Sequence, residues 1–334
     1  MKIVTLVSGD ARYDGRVLRA TRSLRAAGHD VQVFDQGRYS PSAMSRGAFL
    51  VMATRRALRF KPDVVHANDL DTLPAGIALK RLAGSRLVYD CHEFFFDMVR
   101  DQHREAVSRA FGIAEPILAD EADAIIAANE GVRDYLETFL DQHVTVVHNY
   151  PNAPNGWKPP FTHKPFTLIY IGTFQRGRFL EEATHVVRRR TDIRMTIWGA
   201  KADLSRLEGG PVIAVRGMVD NERVVPLMAG AHAVLAMYDP SRMQNARGMP
   251  NKVYEAMAAG RPSIVSEGTD AGRLVSWLRC GVAVPFDEDG LSAGIDRVMA
   301  DDVSLGTNGY KAAKTEYNWE REERRLLEVY GGLA

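Results

Sequence analysis

Short apolar blocks alternate along the chain with longer stretches in which apolar positions recur every three or four residues. Lys2 to Val7 is a mainly apolar run, the pattern of a strand covered on both faces. Ser8-Gly9-Asp10 ends it. From Asp14 to Ala27 the apolar Val17, Leu18 and Leu24 are separated by arginines, and Gly28 follows as a C-cap, which predicts an amphipathic helix. Val31, Val33 and Phe34 form the next strand. Strand, helix and strand within 35 residues make a βαβ unit and imply a parallel sheet. The alternation predicts further helices over 43–60, 73–82, 101–121 and 131–140. It predicts strands at Val64-Val65-His66, Leu87-Val88-Tyr89, Ala124 to Ala128 and Val144 to Val147.

Residues 149–165, NYPNAPNGWKPPFTHKP, hold five prolines and no periodicity, the composition of a linker. A fresh alternating series follows, with strands expected at 167–171, 194–198, 212–215, 233–237, 263–266 and 282–285. Two complete series separated by a proline-rich break predict two doubly wound α/β domains, spanning 1–150 and 166–318 with 151–165 between them. Trp319 to Leu333 is a charged helix with apolar Leu326, Leu327, Val329 and Tyr330. It packs either on the second domain or back on the first.

Composition narrows the classes. A chain of 334 residues, 46% apolar and 25% charged, is long enough for two packed cores. A net charge of +1 gives no global reason to expect nucleic acid. Cys91 and Cys280 stand far apart without metal-ligand spacing and read as buried thiols in reducing cytosol. MKIVTLVS reads as a first strand and not a signal peptide, and no run approaches the roughly 20 apolar residues of a bilayer span. The helix over 46–61 mixes Arg46, Arg55, Arg56, Arg59 and Lys61 with Phe49, Leu50, Val51 and Leu58. It is a covering helix with a solvated charged face or a contact for an anionic membrane.

The chemistry concentrates in MPNKVYEAMAAGRPSIVS, residues 249–266: loop, helix and buried strand. Asn251 can cap the helix, and Gly260 and Pro262 end it. The amide groups and macrodipole of the helix start favour an anion. Lys252 adds a full charge, and Glu255 one turn on can accept hydrogen bonds from hydroxyls beside a bound phosphate. A sugar nucleotide suits this set. Further polar loops follow strands, at the edge where open α/β sheets bind ligands. They hold Asp14, Gly15 and Arg16; Asn68 and Asp69 in HANDLDTLPAG; His92 and Glu93 in YDCHEFFFD; and Arg176 and Arg178 in GTFQRGR, where arginine suits bidentate phosphate contact. Each also reads as a loop-ordering group. Phe94-Phe95-Phe96 packs under the next helix, lines a pocket or touches a membrane.

Two doubly wound domains, a central linker and a closing helix resemble the GT-B fold of nucleotide-sugar glycosyltransferases, whose domains face each other across a cleft. KPDVVHAND, VYDCHE, ADAIIAANEGVRDYL, YIGTFQRGR, YEAMAAGRPSIVS and NWE, in this order, resemble segments of the retaining family four. The resemblance implies that helix 319–334 joins the first domain. It implies that Glu255 binds the donor ribose, that Gly248, Met249, Pro250 and Asn251 meet the donor through backbone groups, and that Arg176, Arg178 and Lys252 hold the diphosphate. Gly172 opens the second domain's first loop, and Arg216-Gly217-Met218 resembles the segment that contacts the base. His92 matches the histidine that contacts the transferred sugar, while Asp14, Gly15, Asn68 and Asp69 are acceptor-side candidates. One departure stands out. Many members have two glutamates with seven residues between them, and Arg247 occupies the place of the first.

The expected reaction is sugar transfer from a nucleoside diphosphate to a hydroxyl acceptor, with Arg176, Lys252 and the helix start stabilising the departing diphosphate. No carboxylate cluster of magnesium-ligand character stands out, so protein cations are expected to replace a metal, and no cofactor is expected. The alternatives are a sugar-nucleotide 2-epimerase of the same architecture and a non-catalytic sugar-nucleotide-binding subunit.

Overall fold

A computed structural model describes residues 1–37, 43–100, 105–156, 158, 165–174, 177–199, 207 and 210–333. The chain divides into two compact units, one of Met1–Asn149 with Trp319–Ala334 and one of Tyr150–Asn318.

The first unit is built on strands β1 Lys2–Val7, β2 Asp30–Asp35, β3 Val64–Asn68, β4 Arg86–Cys91, β5 Ala124–Ala127 and β6 Val144–Val146. They form a six-stranded sheet in the order β2-β1-β3-β4-β5-β6, every neighbour parallel. A parallel sheet needs both faces covered, and the near-continuous burial of β1, β3 and β4 follows from that. On one face lie α2 Ala43–Phe60, α3 Leu73–Ala83, α5 Glu105–Ala119 and α6 Glu130–Leu136, whose Phe49, Leu73, Ala119 and Val132 join one apolar cluster. On the other lie α1 Gly15–Ala26 and the chain's last helix, α13 Trp319–Gly331. Trp319, Leu326 and Tyr330 are buried there beside Ile3 and Leu24, and the Trp319 indole donates to Ser23 Oγ at 2.9 Å. Burial of such side chains contributes on the order of 1.5–3 kcal/mol each, which seats this helix on the first unit although it follows the second in sequence.

The triple phenylalanine is core. Phe95 opens the short helix α4 Phe95–Arg100, and Phe94 and Phe95 are buried. Their rings meet Tyr135 at 5.4 Å and Phe111 at 5.0 Å. Of the helical stretch expected over 101–121, residues 101–104 lie outside the described residues and α5 occupies Glu105–Ala119, while α4 is a separate short helix before it. The helix expected to reach residue 140 ends at Leu136.

The second unit holds β7 Phe166–Ile171, β8 Ile193–Trp198, β9 Ile213–Arg216, β10 Ala233–Ala236, β11 Ser263–Ser266 and β12 Gly281–Val284. Its sheet order is β12-β11-β10-β7-β8-β9, again parallel throughout. The helices are α7 Leu180–Arg188, α8 Asn221–Ala229, α9 Met243–Arg247, α10 Asn251–Ala259, α11 Asp270–Leu278 and α12 Glu288–Thr315, the last broken at Asp301. The described part of the proline-rich stretch packs on this unit, with Tyr150 edge-on to Tyr254 at 4.5 Å. Cys91 and Cys280 are free and buried, and burial pushes the Cys280 thiol up to about 12.

Candidate functional site

Each sheet has one place where the strand order reverses, between β1 and β3 in the first and between β7 and β10 in the second. At such a switch point the loops leaving the two strands part, and a crevice opens beyond their carboxyl ends.

In the second unit Gly172 follows β7 and Tyr238 stands two residues past β10. Lys252, in the first turn of α10, reaches into the space between them. Its ammonium donates to the Tyr238 hydroxyl at 2.9 Å and lies 4.6 Å from the centre of the Tyr170 ring. The Arg178 guanidinium stacks on the Tyr238 face at 4.2 Å. Cation–π contacts of this kind contribute about 0.5–2 kcal/mol each, more as water is excluded. Gly172 has φ of 151°, a backbone state that side chains rarely adopt, and a β-carbon there would lie 2.5 Å from Lys252 Nζ. Any other residue would push the lysine out. The Tyr170 hydroxyl donates to the Thr173 carbonyl at 2.6 Å and fixes that ring.

Burial alone would raise the Tyr238 phenol, but Lys252 and Arg178 outweigh it and leave it lowered. Burial pulls Lys252 down, yet its two phenols outweigh that and hold it raised, so it stays cationic. Tyr170 is raised by its burial. Glu255 lies one turn along α10 from Lys252, half-buried, and its charge acts on Tyr238.

The start of α10 differs from the expected capping. Pro250 holds the N-cap position in extended backbone with no side-chain hydrogen bond, and Asn251 is the first helical residue. Proline presets the backbone for helix entry and leaves the first-turn amides without a side-chain cap. Met249 and Pro250 connect α10 to Gly248, the C-cap of α9. A β-carbon at Gly248 would collide with the Gln244 carbonyl, so this tight join requires glycine. Arg247 ends α9 with its Nε 3.3 Å from Asp270 at the start of α11. Gly217 and the half-exposed Met218 follow β9, the outermost strand of this sheet. Arg176 lies outside the described residues.

In the first unit Asp90, at the end of β4, is the hub. Its carboxylate accepts from Arg16 Nε at 2.8 Å, from the Arg16 Nη2 atom, and from His66 Nε2 at 3.1 Å. The Tyr330 hydroxyl of α13 completes the chain with His66 Nδ1 at 2.7 Å. His92 lies against this hub, with Nε2 3.4 Å from Asp90 and Nδ1 3.2 Å from Asp69. Nε2 makes no hydrogen bond. Burial alone would lower His92, but Asp69 and then Asp90 outweigh it and hold it well above the usual histidine range. Burial raises Asp90, and Arg16 and His92 overcome that to keep it well below the usual carboxylate range. Asp69 and Asp90 thus bias His92 toward its protonated form.

Asp69 has φ of 61°, a left-handed backbone that costs a non-glycine residue energy. Its backbone N–H donates to the Asp90 carbonyl and its Oδ1 accepts from the His92 N–H, both at 2.9 Å. Asn68 is buried and donates to the Leu6 carbonyl at 2.9 Å, tying β3 to β1 at the switch point. Asp14 caps α1, accepting from the N–H groups of Arg16 at 2.9 Å and Val17 at 3.1 Å, and Gly15 is the buried first residue of that helix. The structure therefore gathers Asp69 with His92 and gathers Gly172, Arg178 and Lys252. Asp14 and Asn68 have local structural partners.

Asp90, His66 and Tyr330 in the first unit, and Tyr170 and Tyr238 in the second, were not singled out from sequence. Asp90 and Tyr238 each belong to a Tyr-Asp pair at the end of an apolar run, at 89–90 and 238–239, whereas His66, Tyr170 and Tyr330 carry no such signal.

Two family profiles match the chain. One described as glycosyl transferases group 1 covers residues 165–301, and one described as glycosyltransferase family 4 covers residues 16–150. Between them they span most of the sequence, and the chain belongs to the GT-B glycosyltransferases of this kind. No curated sequence matches it significantly. Solved structures share the fold at low identity. Sucrose-phosphate synthase from Thermosynechococcus elongatus is 16% identical with a TM-score of 0.81, covering 100% of this chain and 99% of its own. Anabaena HepE in complex with UDP and glucose is 14% identical with a TM-score of 0.75, covering 99% and 100%. WaaG, a glycosyltransferase involved in lipopolysaccharide biosynthesis, is 14% identical with a TM-score of 0.72, covering 99% and 100%.

Proposed function

We propose that this glycosyltransferase moves a hexosyl or N-acetylhexosaminyl group from a UDP-sugar to a hydroxyl acceptor, with retention, in the synthesis of a glycan, glycolipid or glycosylated natural product. The carrying observation is the Lys252–Tyr238–Arg178 cluster over Gly172 at the second unit's switch point. Two cations there suit a diphosphate, and Glu255 one turn on suits the ribose hydroxyls. As the glycosidic bond breaks the diphosphate gains negative charge, and cations already in place stabilise it most in the transition state. Lys252, Arg178 and Arg176 supply this role in place of a metal. In the retaining course proposed here a diphosphate oxygen takes the acceptor's proton, and His92, which Asp69 and Asp90 bias toward its protonated form, is assigned to orienting the sugar. Acceptor recognition falls to Asp69 and its neighbours on the first unit.

The nature of the acceptor is linked to α2. Its Met44, Val51 and Met52 are exposed, and Arg55, Arg56 and Arg59 have no ion-pair partner among the described residues. This face suits peripheral contact with an anionic membrane from the cytoplasmic side. Among the described residues no helix is long and apolar enough to cross a membrane.

A thermal-shift screen of nucleoside diphosphates tests the donor assignment. UDP at 100 times its Kd should stabilise the protein by about 2.7 kcal/mol. Glu255→Ala should weaken UDP binding about tenfold or more, as loss of a charged hydrogen bond of roughly 1.5–3 kcal/mol requires. Unchanged affinity removes Glu255 from the ribose. Conversion of a UDP-sugar to its epimer without any acceptor would favour the epimerase instead.

A further inference from the structure

Lys252 is half-buried, and among the described residues no carboxylate pairs with it. Its partners are the Tyr238 hydroxyl at 2.9 Å and the face of the Tyr170 ring at 4.6 Å. Tyr238 also carries the Arg178 guanidinium on its face at 4.2 Å. One buried phenol thus touches two cations in two ways, through its oxygen and through its ring. A carboxylate in that place would hold Lys252 equally well, but it would cancel one charge and repel an incoming anion. A neutral phenol holds both cations and adds no negative charge of its own.

We propose that Tyr238 is a positioning residue for the donor diphosphate, its hydroxyl aiming Lys252 and its ring carrying Arg178 without adding a negative charge beside either. This rests on the assignment of Lys252 and Arg178 to the diphosphate. It has a consequence in pH. Once the phenol loses its proton, the phenolate neutralises Lys252 and repels the diphosphate. Lys252 and Arg178 face the phenol and favour its ionisation; burial, Tyr170 and Glu255 oppose it, and the balance leaves it below its ordinary value. Lys252 itself is raised, so the alkaline loss of affinity belongs to Tyr238.

The test is calorimetric titration of UDP into wild type, Tyr238→Phe, Tyr238→Leu and Lys252→Met from pH 7 to 10, with circular dichroism to verify folding. Tyr238→Phe keeps the ring under Arg178 and removes the hydrogen bond. It should bind UDP about three- to tenfold more weakly at pH 7. Tyr238→Leu removes both contacts and should bind more weakly still. Wild-type affinity should fall relative to Tyr238→Phe as pH rises, the ligand's own uracil titration cancelling in the ratio. A role in packing alone would lower affinity equally at every pH. If Lys252→Met weakens binding while Tyr238→Phe leaves both affinity and pH profile unchanged, the proposal is wrong and the donor site stands. If Lys252→Met is also without effect, or wild type binds no UDP, the donor assignment falls and the proposal with it.

Discussion

Replacing Asp90 by Asn removes one negative charge from the first unit and little volume. The side chain is buried and so is Arg16, whose guanidinium loses its counter-ion while staying enclosed. Removing one partner of a buried ion pair costs about 3–5 kcal/mol, because the other charge is left without compensation. A domain's whole stability is about 5–15 kcal/mol, so this is a large share of it. The first unit has 149 residues in Met1–Asn149 and 16 in Trp319–Ala334, 165 in all. At that size each kcal/mol shifts the midpoint by about 2–4 °C, and the substitution should lower it by roughly 6–20 °C. Urea unfolding should be followed by the fluorescence of Trp319, the tryptophan of this unit, after the others are replaced by Phe, since two units can unfold separately. The apolar pair Arg16→Met with Asp90→Leu should recover much of the loss, as buried pairs replaced together often do. A loss below about 1 kcal/mol for Asp90→Asn would refute the view that this carboxylate compensates a buried cation.

Two other outcomes are expected. Asp69→Asn removes the stronger of the two carboxylate influences that hold His92 raised. A group raised in the folded state contributes stability that is full below its unfolded value and lost as pH rises through the folded one. The wild-type advantage over Asp69→Asn in urea midpoint should thus be greatest near pH 6 and shrink toward pH 9; a gap that widens with pH would contradict the pairing. Replacing Arg55, Arg56 and Arg59 by Gln should abolish co-sedimentation with phosphatidylglycerol vesicles while UDP affinity is kept, and wild-type binding to vesicles of neutral lipid alone would overturn the electrostatic account.

The strand and helix order was legible because parallel βα units carry their information locally. An apolar run bounded by turn residues, then arginines between apolar positions, is enough to place β1 and α1. Boundaries slipped where a local rule had a competitor. Asn251 is a good capping residue, but Pro250 before it suits the extended N-cap backbone and took the position. Phe94-Phe95-Phe96 left several readings open because nothing nearby in sequence says what buries it; Phe111 and Tyr135 do. The site was legible at the level of its edge, since loops after strands in such sheets meet ligands. The partners were not. Arg16 finds Asp90 across 74 positions and His66 finds Tyr330 across 264, and each reads alone as an ordinary helix, strand or surface residue. Tyr238 reads as the end of a strand until Lys252 is seen on its hydroxyl.

The two switch points hold their cations in opposite ways, and the contrast supports the proposed division of labour. In the first unit Arg16 and His92 are answered by Asp90 and Asp69, so these charges close on one another. In the second, Lys252 is answered by phenols and Arg178 stacks on one of them, contacts that hold the cations in place and add no carboxylate. An anion gains little from the first arrangement and much from the second. A neutral hydroxyl-bearing ligand has the reverse preference, since it needs oriented donors and acceptors more than field. This charge contrast supports the proposed reading, in which the diphosphate of a sugar nucleotide would meet the ends of β7 and β10 and hydroxyl recognition would fall to the ends of β3 and β4.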